Sequence, residues 1–283
     1  MLDERAGLPS SNVTDAGCLD VEGGLWLPLT DGLARVEVHS PLQRFDSSHG
    51  LHGMVLAVVR HGGVLYAGTG QGIFRLEPGT GAHPPRFAAL AGTLICCHAL
   101  VPAGERLFGA TCDGLCEIDP SGTLTFHDPP LPGEDLLVAR DGGRLYLATR
   151  GEGVHSFALG PGEPLHLGRL EGTGPFVHRL IEDDGGRLWA GTGLPGGPHF
   201  LERLTPDAVG GAAWTARRYG SAEGLAEAVV PHPFLWRGQV CVGTDGGFAA
   251  YDPRADRFHA VAPLRDLLDG GRGTVQHLSL IHI

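Results

Sequence analysis

The sequence predicts an all-β fold, a β-propeller of four-stranded blades, with six blades recognisable and a seventh truncated. Three observations lead there. A motif of the form Gly-x-Leu-aromatic-x-Gly-Thr, followed by Gly-apolar and a short alternating stretch, recurs roughly every 40 residues. The 283 residues include 46 glycines and 21 prolines, scattered along the chain as turn punctuation rather than in a Gly-X-Y register. Each copy also offers four short apolar or alternating segments, which suits a small antiparallel sheet.

The copies read GGLWLPLTDGLARVEV from Gly23, GGVLYAGTGQGIFRLE from Gly62, GERLFGATCDGLCEID from Gly104 and GGRLYLATRGEGVHSF from Gly142. GGRLWAGTGLPGGPHFLERL from Gly185 and RGQVCVGTDGGFAAYD from Arg237 complete the set. The aromatic position is Trp26, Tyr66, Phe108, Tyr146 and Trp189, with Cys241 taking it in the sixth copy. An apolar first strand precedes each motif, such as MVLAVV from Met54 or FVHRLIE from Phe176. A closing segment such as RFAAL from Arg86 or DRFHAV from Asp256 follows. Glycine pairs such as Gly62-Gly63 supply the positive φ of tight hairpins. The glycine before the threonine should let adjacent sheets approach closely. A sheet of this size cannot bury both faces alone. Radial stacking fits four short strands per repeat better than a linear solenoid does.

Composition narrows the function classes. All 21 basic residues are arginine, and the net charge of −11 argues against nucleic acid and against an anionic membrane surface. No apolar run approaches the ~18 residues needed to span a bilayer, and the N-terminal MLDERAGLPS carries no hydrophobic signal region. Six cysteines form no C-x-x-C pair; most read as small buried hydrophobes, and the CDGLC spacing of Cys112 and Cys116 is a weak metal signal. No catalytic constellation and no cofactor or metal set is expected. Asp183-Asp184 reads as turn chemistry, and GTGQG from Gly68 as a hairpin rather than a phosphate loop.

The fifth copy carries a further signal. VHRLIEDDGGRLWAGT from Val177, with GLPSSNVTDAGCLDVEGGLW near the N-terminus, resembles the two-component regulator propeller repeat of bacterial sensor proteins. GLHGMV from Gly50 and GLAEAV from Gly224 echo its lead-in. Departures are local: Pro28 and Leu29 stand for Gly-Thr in the first copy, and Cys241 for the aromatic in the sixth. The resemblance implies a periplasmic or extracytoplasmic ligand-sensing module. Its histidine kinase or similar output domain and its membrane helix would lie downstream, and a receptor dimer would be the signalling partner. The ligand class is a small molecule or carbohydrate. The alternatives are a propeller enzyme, such as a metal-assisted lyase with His and Glu converging at the axis, or a protein-interaction scaffold.

Residues 1–277 are read as one propeller domain. The terminal LSLIHI, residues 278–283, matches the translation of a transposon-end sequencing adaptor and is expected to be foreign. Within the first strand of each copy, two positions between apolar ones are free to vary: Val55-Leu56, Cys97-His98, Asp135-Leu136, His178-Arg179 and Val230-Pro231. Polar side chains there would face the channel, because burial without a partner is costly. The candidate ligand-binding residues are therefore His98, Asp135, His178 and Arg179, with Asn12, His52 and His232 near the strand starts.

Overall fold

The structure, a computed structural model, describes residues 18–19, 24–29, 32–37, 44–80, 84–92, 95–193, 197–207, 213–225, 231–244 and 247–260. Asn12, Val230 and the 278–283 tail lie outside them. The described residues belong to two compact units, divided between Asp46 and Ser47. In the first, β1 (Cys18–Leu19), β2 (Gly24–Leu29) and β3 (Gly32–Glu37) form an antiparallel sheet in that order. It holds the first copy of the motif.

The second unit holds the other five copies, each folded as one four-stranded antiparallel sheet with strands in chain order. They are β4 to β7 (Val55–His61, Val64–Thr69, Gly72–Glu77, Arg86–Ala89) and β8 to β11 (Cys97–Ala103, Arg106–Thr111, Gly114–Ile118, Leu124–His127). Next come β12 to β15 (Gly133–Val138, Arg144–Thr149, Val154–Ala158, Leu165–Arg169) and β16 to β19 (Val177–Glu182, Leu188–Gly193, His199–Pro206, Trp214–Tyr219). The last sheet is β20 to β23 (His232–Trp236, Gln239–Thr244, Gly247–Asp252, Arg257–Ala260). The first strands β4, β8, β12, β16 and β20 lie beside one another in succession, as the inner strands of propeller blades do. Short helical turns at Ser47–His49 and Ser221–Glu223 are the helices among the described residues, and neither is long enough to cross a membrane.

The motif residues have separate jobs. The aromatic at the second strand is buried between sheets: Phe108 and Trp189 are 0% exposed. Cys241, which replaces it in the last sheet, is buried as well. The threonine closes the next hairpin. Thr69 Oγ1 donates to Gly72 O at 3.1 Å and accepts from Gln71 N at 3.0 Å. Thr111 and Thr149 repeat the clamp, with Gly114 and Gly153 carbonyls as acceptors. A buried hydroxyl is thus fully used, which is why the position needs Thr rather than Val.

The glycine before it has the predicted packing role. A Cβ on Gly68 would sit 2.9 Å from the Cys97 carbonyl oxygen on the next inner strand, and one on Gly191 would collide with Pro231 O. Alanine takes the position in two other sheets, as Ala110 and Ala148, both 0% exposed. Asp183 does turn chemistry, as expected. Its Oδ1 accepts from the backbone N–H groups of Gly185 and Arg187, and its Oδ2 accepts from Trp189 Nε1 at 2.8 Å.

Candidate functional site

The five inner strands of the second unit line a cavity of about 680 Å³. Its walls include Leu56 from β4, His98 from β8, Glu134 and Asp135 from β12, His178 and Arg179 from β16, and His232 from β20. Five of the seven sequence candidates therefore meet in one place. Asn12 is outside the described residues. His52 is exposed ahead of β4, its ring 6.3 Å from Phe74, and does not line the cavity.

Backbone irregularity puts the polar groups there. In β4, β8, β12 and β16 the pairing register slips at the same point, between Val55 and Ala57, Cys97 and Ala99, Gly133 and Asp135, and Val177 and Arg179. Each slip is a β-bulge that leaves one residue unpaired and re-aims it. The bulged residues are Leu56, His98, Glu134 and His178. This corrects the alignment of the free positions: the counterparts of His178-Arg179 are Glu134-Asp135, His98-Ala99 and Leu56-Ala57, not Asp135-Leu136, Cys97-His98 and Val55-Leu56. Strict alternation cannot locate a bulge, so Glu134 was missed from sequence.

Glu134 is the hub of one side of the cavity. Its Oε2 accepts from Arg150 Nη2 at 2.6 Å and from Arg150 Nε at 3.0 Å. Its Oε1 lies 3.9 Å from His98 Nδ1. Arg150 Nη2 also lies 3.4 Å from His98 Nε2, and its guanidinium stands 5.6 Å over the Phe176 ring. Arg150 follows the β13 threonine, so it reaches the inner strands from a hairpin that the inner-strand pattern does not cover. Burial lowers the His98 pKa, with Glu134 opposing and Arg150 reinforcing that shift.

The opposite side is built differently. Asp135 is 5% exposed, and its Oδ2 accepts from Leu180 N at 2.8 Å, tying β12 to β16. Burial raises its pKa against the pull of Arg179, whose Nη1 is 3.7 Å from Oδ1. His178 Nε2 donates to Gly193 O at 3.1 Å, which leaves Nδ1 as an acceptor, and its ring packs 4.6 Å from Phe176. Burial lowers the His178 pKa also. With the His98 and His178 pKa values lowered by burial, the cavity presents two neutral imidazoles at neutral pH beside two acid–arginine contacts, Glu134–Arg150 tight and Asp135–Arg179 loose. Such a wall can donate and accept hydrogen bonds around a polar ligand without strong preference for net charge.

The cysteines of the second unit divide in two. Cys97, Cys116 and Cys241 are buried thiols, pKa values of Cys116 and Cys241 being pushed up by burial to about 12 and about 11. Cys112 does not pair with Cys116 but forms a disulfide with Cys96, with Cα atoms 5.6 Å apart.

No known protein-family pattern and no curated protein matches the chain. Among solved structures it is similar to the extracellular domain of the hybrid two-component system BT3049 from B. thetaiotaomicron, with a TM-score of 0.66 and 16% identity over 89% of this chain and 34% of that one. It spans about a third of that domain's length. It is also similar to a 6-phosphogluconolactonase of Bacteroides uniformis and to the WD40 β-propeller domain of Doa1. Both have a TM-score of 0.51 at 12% identity, covering 85% and 87% of this chain and 77% and 78% of theirs. These likenesses fix the fold class: an all-β protein of propeller type.

Proposed function

We propose that the chain is the ligand-sensing propeller module of a bacterial signal-transduction receptor, and that it binds a small polar molecule or carbohydrate in the inner-strand cavity. The observation that carries this reading is the convergence of His98, Glu134, Asp135, His178, Arg179 and His232 from four different sheets on one water-accessible space. Polar groups placed on inner strands cost burial energy that a purely structural channel could avoid with apolar residues. Several modest contacts from separate blades are what a small ligand needs for orientation. The fifth copy's resemblance to sensor repeats and the fold shared with a receptor's extracellular domain support the same class. The Cys96–Cys112 disulfide supports an extracytoplasmic setting, because such bonds persist in oxidising compartments. The module itself is read as non-enzymatic.

The lyase alternative required His and Glu to converge at the axis. His98, Glu134, His178 and His232 do share the cavity. Their donor atoms do not gather into one coordination sphere, however; among the described residues the group of metal donors that does so is Cys96, His98 and Cys112.

The test is a thermal-shift screen of the full chain against soluble oligosaccharides and polar metabolites, with calorimetry of any hit on Glu134→Gln and His178→Ala. Losing a hydrogen bond to a charged group costs ~1.5–3 kcal/mol and one to a neutral group ~0.5–1.5 kcal/mol, so Glu134→Gln should bind roughly tenfold or more weakly and His178→Ala about two- to tenfold more weakly. Unchanged affinity in both variants would remove the site. Metal-dependent turnover of a hit would replace the sensor with the enzyme.

A further inference from the structure

We infer that Cys96, Cys112 and His98 form a redox-gated binding site for a thiophilic divalent cation such as Zn²⁺, closed while the disulfide is intact and opened by its reduction. The inference is independent of the sensor reading, although His98 belongs to both.

The geometry comes from the bulge at His98. Cys97 turns into the core, 0% exposed, while Cys96 and His98 on either side of it stay half-buried. Across the hairpin, Cys112 N donates to Cys96 O at 3.1 Å, which holds the two cysteines opposite each other. One donor atom from each of Cys96, His98 and Cys112 lies within 4.8 Å of the others. Cys112 Sγ is 3.8 Å from His98 Nε2. Ligand bonds of about 2.3 Å to sulfur and 2.0 Å to nitrogen at tetrahedral angles put S and N roughly 3.5 Å apart and two sulfurs roughly 3.8 Å apart. The nitrogen is therefore already near its place, and the sulfurs need only separate once their bond is gone.

The surroundings suit a metal-bound imidazole. Arg150 Nη2 at 3.4 Å can only donate, so His98 Nε2 is the lone-pair nitrogen and Nδ1 carries the hydrogen. Nδ1 lies 3.9 Å from Glu134 Oε1, beyond hydrogen-bond distance but on the side from which a carboxylate can orient a metal-bound histidine. Two thiolates and one neutral imidazole neutralise a divalent ion, which limits its repulsion of Arg150. Two soft sulfurs and one imidazole favour Zn²⁺ over Mg²⁺ or Ca²⁺. A water or a cavity-bound group supplies the fourth ligand, since His98 lines the cavity.

The chemistry balances with an external dithiol as reductant. The dithiol gives two electrons and two protons to the Cys96–Cys112 bond, becoming a disulfide itself and leaving two cysteine thiols. Binding of the cation then releases those two protons to solvent as the thiolates coordinate. Loading would take the His98 lone pair away from Arg150, so the redox state of one hairpin would reset the polar wall of the cavity.

The experiment uses Co²⁺ as the spectroscopic probe on the full chain, before and after reduction by a dithiol removed under nitrogen. Reduced protein should bind one equivalent with a thiolate-to-cobalt charge-transfer band that Zn²⁺ bleaches, and unreduced protein should show none. Cys112→Ser should lose the band and His98→Ala should bind at least tenfold more weakly, while Cys97→Ala keeps the band. Circular dichroism establishes that each variant is folded. If Cys112→Ser does not fold, loss of affinity in His98→Ala decides the matter. A reduced protein without the band, or a band that survives in folded Cys112→Ser or is unchanged in His98→Ala, would overturn the assignment.

Discussion

Two polar clusters join neighbouring sheets of the second unit, and they are built to opposite specifications. The outer one lies between the sheets of the fifth and sixth copies. Asp256 Oδ1 accepts from Tyr219 and Tyr251 hydroxyls, both at 2.6 Å, and from Arg203 Nη1 at 2.9 Å, while Oδ2 pairs with Arg217. Arg203 also stands over Trp189, Tyr219 and Tyr251, 5.5–5.8 Å from each ring centroid. The inner cluster, around the cavity, has one tight side-chain pair, Glu134–Arg150, while its other contacts between polar side chains run from 3.4 to 3.9 Å. Short contacts that converge on one carboxylate at a closed aromatic interface serve stability. Loose contacts facing open space leave bonding capacity for something else.

Breaking the outer cluster should therefore have the largest effect. Trp189 is fully buried among Tyr219, Tyr251 and Phe258. Trp189→Ala should cost about 3–5 kcal/mol in urea unfolding. Asp256→Ala should cost ~1.5–3 kcal/mol, because it strips a charged acceptor from two tyrosines and an arginine whose side chain is only 16% exposed. A variant of either kind within 0.5 kcal/mol of the wild type, by the ordinary scatter of surface substitutions, would mean that the network is ornamental and the comparison fails.

The inner cluster should divide when probed the same way. Glu134→Gln breaks an ion pair whose arginine is 45% exposed, so the stability change should stay below about 1 kcal/mol. Asp135→Ala should cost ~1–3 kcal/mol, since it leaves the Leu180 N–H without its buried acceptor. Asp135 thus sits in the cavity wall but behaves as a clasp between β12 and β16, and it should not be counted among freely mutable ligand contacts. Equal losses in the two variants would erase that distinction.

How much of this the sequence disclosed follows from what is periodic. The blades were legible because each motif residue repeats for a local reason: the aromatic for packing, the glycine for sheet approach, the threonine for its hairpin clamp. His98, His178 and Arg179 were legible because polar residues interrupt an apolar strand, and His232 because it stands near a strand start. Glu134 was hidden by a one-residue bulge, and Arg150 by its place on a hairpin outside the first strand of its copy. The Cys96–Cys112 pair was hidden because partners across a hairpin are set by register, and cysteines within apolar strands read as small buried hydrophobes. Periodicity carries the fold; irregularity carries the site.

The smallest effect separates charge networks from neutral ones by pH. His155 Nδ1 and His166 Nε2 meet at 3.0 Å with the rings stacked, on neighbouring strands β14 and β15. Burial lowers the pKa of both, and for His155 the His166 imidazole and Arg169 push further down while Glu152 pulls up. An unfolded histidine takes up its proton near pH 6.5, about where model peptides do. Between that pH and the lower folded values the unfolded chain holds more protons than the native one. Unfolding free energy therefore rises with pH in this window and is lost on acidification, with a slope of at most about 1.4 kcal/mol per pH unit for each such group. The outer carboxylate acts elsewhere. Burial alone would raise the Asp256 pKa, but Tyr219, Tyr251, Arg203 and Arg217 bring it down to about 2. Its contribution is complete above the unfolded carboxylate value near 3.9 and is lost only as pH falls from there toward 2. His98 and His178 share the sign of the histidine pair, so His166→Gln should remove only part of the stability difference between pH 7.5 and pH 5.5. Asp256→Ala should leave that difference intact while lowering stability at both pH values. Urea midpoints for the two variants would decide it: a His166→Gln protein with the full wild-type pH dependence would show that the stacked imidazoles titrate as they do in water.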